Sequence, residues 1–103
     1  MRTIPESDWK YLRSIERDLI EKLCQRINKG AAQIIADDSM SQHERFLKLY
    51  VYIKKEDKVV ADCFDDWRRS NAFEKTRFLR KHRLLTPEQI AKLSDEMQQS
   101  LSI

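Results

Sequence analysis

The densest grouping of reactive side chains in this 103-residue chain is Phe64-Asp65-Asp66-Trp67-Arg68-Arg69-Ser70, which packs acid, aromatic and base into seven positions. A guanidinium fork matches the geometry of a carboxylate or a phosphate, so Trp67, Arg68 and Arg69 are candidates for holding an anion or a protein partner. Asp65 and Arg69 stand four apart and lie side by side if the segment is helical. If the chain turns here instead, Asp66 or Ser70 becomes a helix cap and both arginines can swing toward an anion. Arg77, Arg80 and Lys81 extend the same basic block. From Arg68 to Arg83 seven basic residues face Glu74 alone, a local balance of +6, while residues 1–67 sum to −1 and the last twenty to −2. The net +3 is therefore local. On a helix over 71–83 these cations spread around most of the circumference, whereas phosphate-tracking proteins gather them on one face. Nucleic acid is accordingly the less favoured partner.

Two carboxylates suggest a second kind of site. By helical-period arithmetic Glu16 projects near the centre of an apolar stripe in the first helix, and Asp57 near the centre of the stripe in the second. A carboxylate removed from water needs a cation or several donors to answer it, so Glu16 and Asp57 are candidate buried carboxylates of a polar pocket. The competing expectation for Asp57 is a kinked or solvent-facing stretch over Lys54-Lys55-Glu56-Asp57-Lys58.

Other chemistries lack their parts. The two histidines, His43 and His82, sit in no nucleophile motif, and with Cys24 and Cys63 they do not reproduce a zinc-ligand spacing. Gly30 is the single glycine, so there is no phosphate-cradling loop. The Glu-x-x-His pairs of a di-iron bundle are missing too. The expectation is a non-enzymatic protein with no metal and no cofactor. Two isolated cysteines form no disulfide framework, which points to a reducing cytoplasm. No apolar run approaches the roughly 20 residues of a membrane span, and the N-terminus lacks the apolar stretch of a signal peptide.

The elements that must position these residues follow from periodicity. With one Gly, two Pro and 36% charged residues, a turn-rich β fold is disfavoured and solvated helix faces are favoured. Leu12, Ile15, Leu19, Leu23 and Ile27 recur at three- and four-residue steps after Pro5, predicting a helix near 6–36 with a weak point at Gly30. Asp37-Asp38-Ser39-Met40 breaks the pattern, and Ser41 with Glu44 has capping-box spacing. A second helix near 42–68 then carries Phe46, Tyr50, Ile53, Val60, Phe64 and Trp67 inward. A hairpin pairing 49–53 with 58–64 competes with this helix, although its alternation is poor and it lacks a tight-turn residue. A third helix is expected near 71–83, capped by Ser70 or Asn71. A fourth is expected near 87–101, opened by Thr86-Pro87-Glu88-Gln89 and open to a break near Ser94. The predicted class is an all-α, single-domain bundle of four to five helices. Its second helix is expected to be central, because Leu47, Val51, Tyr52 and Val59 add apolar surface off the main stripe.

Ile4-Pro5-Glu6-Ser7-Asp8-Trp9, His43-Glu44-Arg45-Phe46-Leu47, the Phe64–Ser70 segment and Leu84-Leu85-Thr86-Pro87-Glu88 together resemble a group of small uncharacterised bacterial helical proteins with the same running order. The resemblance implies a mainly helical protein of the bacterial cytoplasm and carries over no activity, cofactor or site residue. The expected function is association with a protein partner or with itself, because two Trp in a short chain and apolar side chains off the second helix's stripe suit an interface. Anion or nucleic-acid binding through 68–83 is the alternative.

Overall fold

Thirty consecutive helical residues, α1 (Glu6–Ile35), set the length of the molecule. At 1.5 Å per residue they span about 45 Å, close to the 51 Å long axis of a particle only 27 and 24 Å across. The computed structural model describes residues 3–102, and among them no strand occurs. The second helix, α2 (Gln42–Phe64), returns along α1, and the 49–53/58–64 hairpin does not form. A single 3-10 turn (Arg69–Asn71) leads into α3 (Ala72–Lys81), followed by α4 (Pro87–Ala91) and α5 (Asp95–Leu101). The bundle is all-α.

The capping chemistry reads directly from the side chains. Ser41 Oγ accepts from Glu44 N at 3.1 Å, and Ser41 N donates back to Glu44 Oε1 at 3.2 Å. Thr86 and Gln89 repeat the exchange at 2.9 and 3.1 Å. The helix expected over 87–101 breaks where Ser94 caps α5 by accepting from Met97 N at 3.2 Å. Asn71 does not cap α3. Its Oδ1 accepts from Arg68 N and its Nδ2 donates to Asp66 O, which fixes the turn leading into the helix.

The core lies at one end. One cluster joins Ile4 and Leu12 to Ala72, Phe73, Leu93, Met97 and Leu101, and a second joins Leu19 and Leu23 to Cys63, Phe64, Leu79, Leu84 and Leu85. Ile15, Trp67 and Ile90 touch both clusters. α1 and α3 each supply residues to both clusters, whereas α2 supplies only the stretch from Val59 to Phe64 and only to the second, so the second helix is not the central one expected. Between Asn28 and Asp62 no residue is buried. Helices α3 to α5 are too short to follow the α1–α2 pair along its length and cover only Val59 to Phe64 of α2. The rest projects as a two-helix arm. The radius of gyration of the whole molecule reflects this, at 16.6 Å against roughly 13 Å for a globule of this length.

The second helix ends at Phe64, four residues before the predicted end at 68. Asp66 takes a left-handed φ of 57°, and the freed carbonyls of α2 find side-chain donors. Lys75 Nζ donates to Ala61 O and Asp62 O at 3.2 and 3.0 Å, and Trp67 Nε1 donates to Cys63 O at 2.6 Å. The end of α3 is a Schellman turn, with Leu84 N bonded to Leu79 O, Arg83 N to Arg80 O, and Arg83 at φ 56°. Arg26 and Lys22 of α1 complete it by donating to His82 O, Arg83 O and Leu84 O.

Gly30 neither ends nor visibly weakens α1, which runs on to Ile35. Its missing side chain makes room for Tyr52, whose hydroxyl donates to Ile27 O at 3.0 Å. A Cβ at position 30 would lie 2.7 Å from Tyr52 Cζ. Alanine improves helix propensity by about 1 kcal/mol, yet here it displaces the ring that joins the two helices of the arm. Gly30→Ala is expected to lower stability by about 1 kcal/mol. In a Tyr52→Leu background the same change is expected to raise it by a similar amount. Thermal melts of the four proteins check the sign reversal.

Candidate interaction surface

The outer flank of the arm is apolar. Phe46, Leu47, Tyr50, Val51 and Ile53 are 63, 49, 59, 65 and 43% exposed, and Ile35 at the end of α1 is 56% exposed. Phe46, Tyr50 and Ile53 are residues whose spacing predicted a core stripe, so the same periodicity here marks a face turned to water. Leu47 and Val51 are open, which fits the interface expected of them and not a central second helix. Tyr52 and Val59 are not: Tyr52 is half-buried against α1, and Val59 packs on the second cluster. The arm's tip is held in shape. Arg45 donates to Ile35 O, Met40 O and Asp38 Oδ1 at 3.0–3.3 Å, and Asp37 Oδ1 accepts from Ser39 Oγ and N. Those Ser39 bonds hold the Asp37 carboxyl below the usual range. A shallow hollow of about 180 Å³ beside the tip is lined by Ile35, Gln42, Arg45, Phe46 and Leu49.

The basic block is divided by the fold. Arg69 forms a two-pronged pair with Glu6 at 2.9 and 3.0 Å, and its guanidinium lies 5.1 Å from the centre of the Trp9 ring. The Arg69 hydrogen bonds lower the Glu6 pKa. Arg68 pairs with Asp66, raising the arginine's pKa and lowering the acid's. The turn at Phe64 therefore frees neither arginine for an external anion, since each meets an acid of its own chain. Lys75 is drawn to the end of α2 and Arg83 enters the turn after α3. Arg77, Arg80 and Lys81 remain on one face of α3, in no ion pair among the described residues, although Glu74 lines a hollow beside Arg77 and Lys81. They line a hollow of about 340 Å³ with Leu101. Arg77 Nε also donates to Ser100 O at 3.3 Å.

The candidate buried carboxylates are not buried together. Glu16 is half-buried and accepts from Arg13 at 2.7 Å, three residues back on α1. Asp57 is exposed on the arm, where α2 has α1 on one side and water on the other. No polar pocket joins them.

The buried acid is Asp8, 1% exposed, whose Oδ1 and Oδ2 accept from Ser94 N at 2.8 Å and Ser94 Oγ at 2.5 Å. Its signal was available in the sequence: Asp8 precedes Leu12 by four and so lies on the apolar stripe of α1. Trp67 is half-buried between the two clusters and stacks on Phe64 at 6.2 Å.

No family model, curated protein or solved structure matches this chain. Its chemistry is read from its own residues. Burial, reinforced by the charge of Asp62, pushes the Cys63 thiol up to about 11, so it stays protonated and unreactive near neutral pH. Among the described residues no cluster of three or more His, Cys, Asp or Glu could hold a metal ion. No helix among them is long and apolar enough to cross a membrane. What the arrangement offers is apolar contact area on α2 and a three-cation face on α3.

Proposed function

We propose that this chain is a non-enzymatic helical protein acting through protein association, with the α2 flank around Phe46, Leu47, Tyr50 and Ile53 as its contact surface. One observation carries the reading: within eight residues of a single helix, five large apolar side chains are between 43 and 65% exposed. Scattered exposed leucines are ordinary, but a contiguous apolar patch on a well-formed helix belongs to an interface. The unpaired thiols of Cys24 and Cys63 and the resemblance to small bacterial helical proteins support a setting in the reducing bacterial cytoplasm.

Arg77, Arg80 and Lys81, gathered around one hollow, favour anion or nucleic-acid binding as a second reading. One experiment separates the two. In gentle extracts of its native cells the protein is expected to elute in a species larger than its own 12.4 kDa, and Phe46→Glu should return it to monomer size without altering its melting profile. Nuclease treatment should leave the species unchanged. Loss of size under nuclease would assign the association to the α3 face, and elution of the untreated wild type as a monomer would overturn the proposal.

A further inference from the structure

We propose that the occupant of the α2 flank is a second copy of this chain, its α2 lying antiparallel to the first with Tyr50 on the two-fold axis. This inference rests on the contact surface proposed above and names its partner.

The support is the order of residues along the flank. His43, Phe46, Leu47, Tyr50, Ile53, Lys54 and Asp57 fall within about 60° of one line along α2 at 100° per residue, and every one is exposed. Read from Tyr50 outward, the seam is complementary to its own reverse. Antiparallel pairing centred there sets Phe46 against Ile53 of the second copy and Leu47 along the stem of its Lys54. At each end His43 meets Asp57 of the second copy. Apart from Lys54, whose ammonium lies 5.9 Å from the centre of its own Tyr50 ring, apolar residues occupy the middle, and opposite-charge-capable groups close both ends, the layout of an interface with a largely apolar centre and a polar rim. Because the contact is isologous, each favourable pair occurs twice.

Size and shape agree. From residue 43 to 57 the seam is about 21 Å long at 1.5 Å per residue. The side chains along it offer on the order of 500 Å² per copy, or about 1,000 Å² for the pair, the size a specific interface must clear. In this register the tip loop of one copy comes level with residues 59–64 of the other, where that copy's globular end begins. The two globular ends then lie at opposite extremes, and the paired arms form a four-helix middle section. A parallel pairing instead stacks His43 on His43, Lys54 on Lys54 and Asp57 on Asp57, setting like charges together.

Light scattering or sedimentation equilibrium on the purified chain, up to about 1 mM, tests this. The expected result is a concentration-dependent rise to twice the 12.4 kDa chain mass. Tyr50→Glu, which brings two carboxylates together on the axis, should weaken it by at least about a hundredfold. His43→Glu should weaken it by about tenfold, and adding Asp57→Lys to that variant should restore it. Failure of the second change to restore dimerisation would overturn the antiparallel register. A wild-type chain that stays monomeric throughout, while a larger species sensitive to Phe46→Glu persists in extracts, would overturn the two-copy pairing and leave the contact surface standing.

Discussion

Replacing Asp8 with alanine is expected to destabilise the fold by about 3 kcal/mol, which lowers the thermal midpoint of a domain this size by roughly 15 °C. Asp8 joins the first turn of α1 to the start of α5, 86 positions away in sequence. Its two oxygens take the Ser94 N–H and hydroxyl, and the same hydroxyl oxygen accepts from Met97 N. The carboxylate thus orients the residue that caps α5. Truncation strands the N–H and hydroxyl of half-buried Ser94 beside the space left by a carboxyl that is 1% exposed, and an unmet donor shielded from water costs more than the bond's net worth in water. Asp8→Asn keeps one acceptor and should cost about half as much. Ser94→Ala removes the same bonds from the other side, so the double variant should fall well short of the sum of the two single losses. Urea titrations of the four proteins measure this directly. Additive losses would mean that Asp8 acts through something other than Ser94.

Some of this was legible in the residues and some was not, and the division has a physical cause. Local signals became bonds where they depend on neighbours in sequence: Ser41 with Glu44, Thr86 with Gln89, and the four-residue rhythm from Leu12 to Leu23. Periodicity reports that a helix has an apolar side without saying what covers it. Phe46, Tyr50 and Ile53 follow the same rule as Leu12 and Leu19, yet the first three face water because α3, α4 and α5 are short and gather at the far end of α1. Asp57, centred in the same stripe, is exposed for the same reason. The early end of α2 was hidden because Trp67 continues the apolar series. The backbone reverses at Asp66, and the indole reaches its place between the clusters from a turn. Arg68 and Arg69 looked free because their partners differ in kind: Asp66 is two residues away, whereas Glu6 is 63 positions away and reachable only once the bundle has closed.

Trp67 was a candidate contact residue, and its environment sets the second large effect. Its ring touches both hydrophobic clusters and stacks on Phe64, and its N–H closes the last turn of α2 by donating to Cys63 O at 2.6 Å. Trp67→Ala is expected to cost about 4 kcal/mol, since it removes a large buried surface and leaves a cavity at the seam between the clusters. Trp67→Phe retains most of the ring but strands the Cys63 carbonyl, and should cost about 1–2 kcal/mol. The gap between the two variants weighs packing against hydrogen bonding. Because Ile15, Trp67 and Ile90 touch both clusters, losing the largest of them should also broaden the unfolding transition, as the two halves cease to melt as one. A Trp67→Ala protein with wild-type stability and impaired association would instead put Trp67 on the contact surface. That outcome would move the interface from the open arm to the junction at which α2 meets α3.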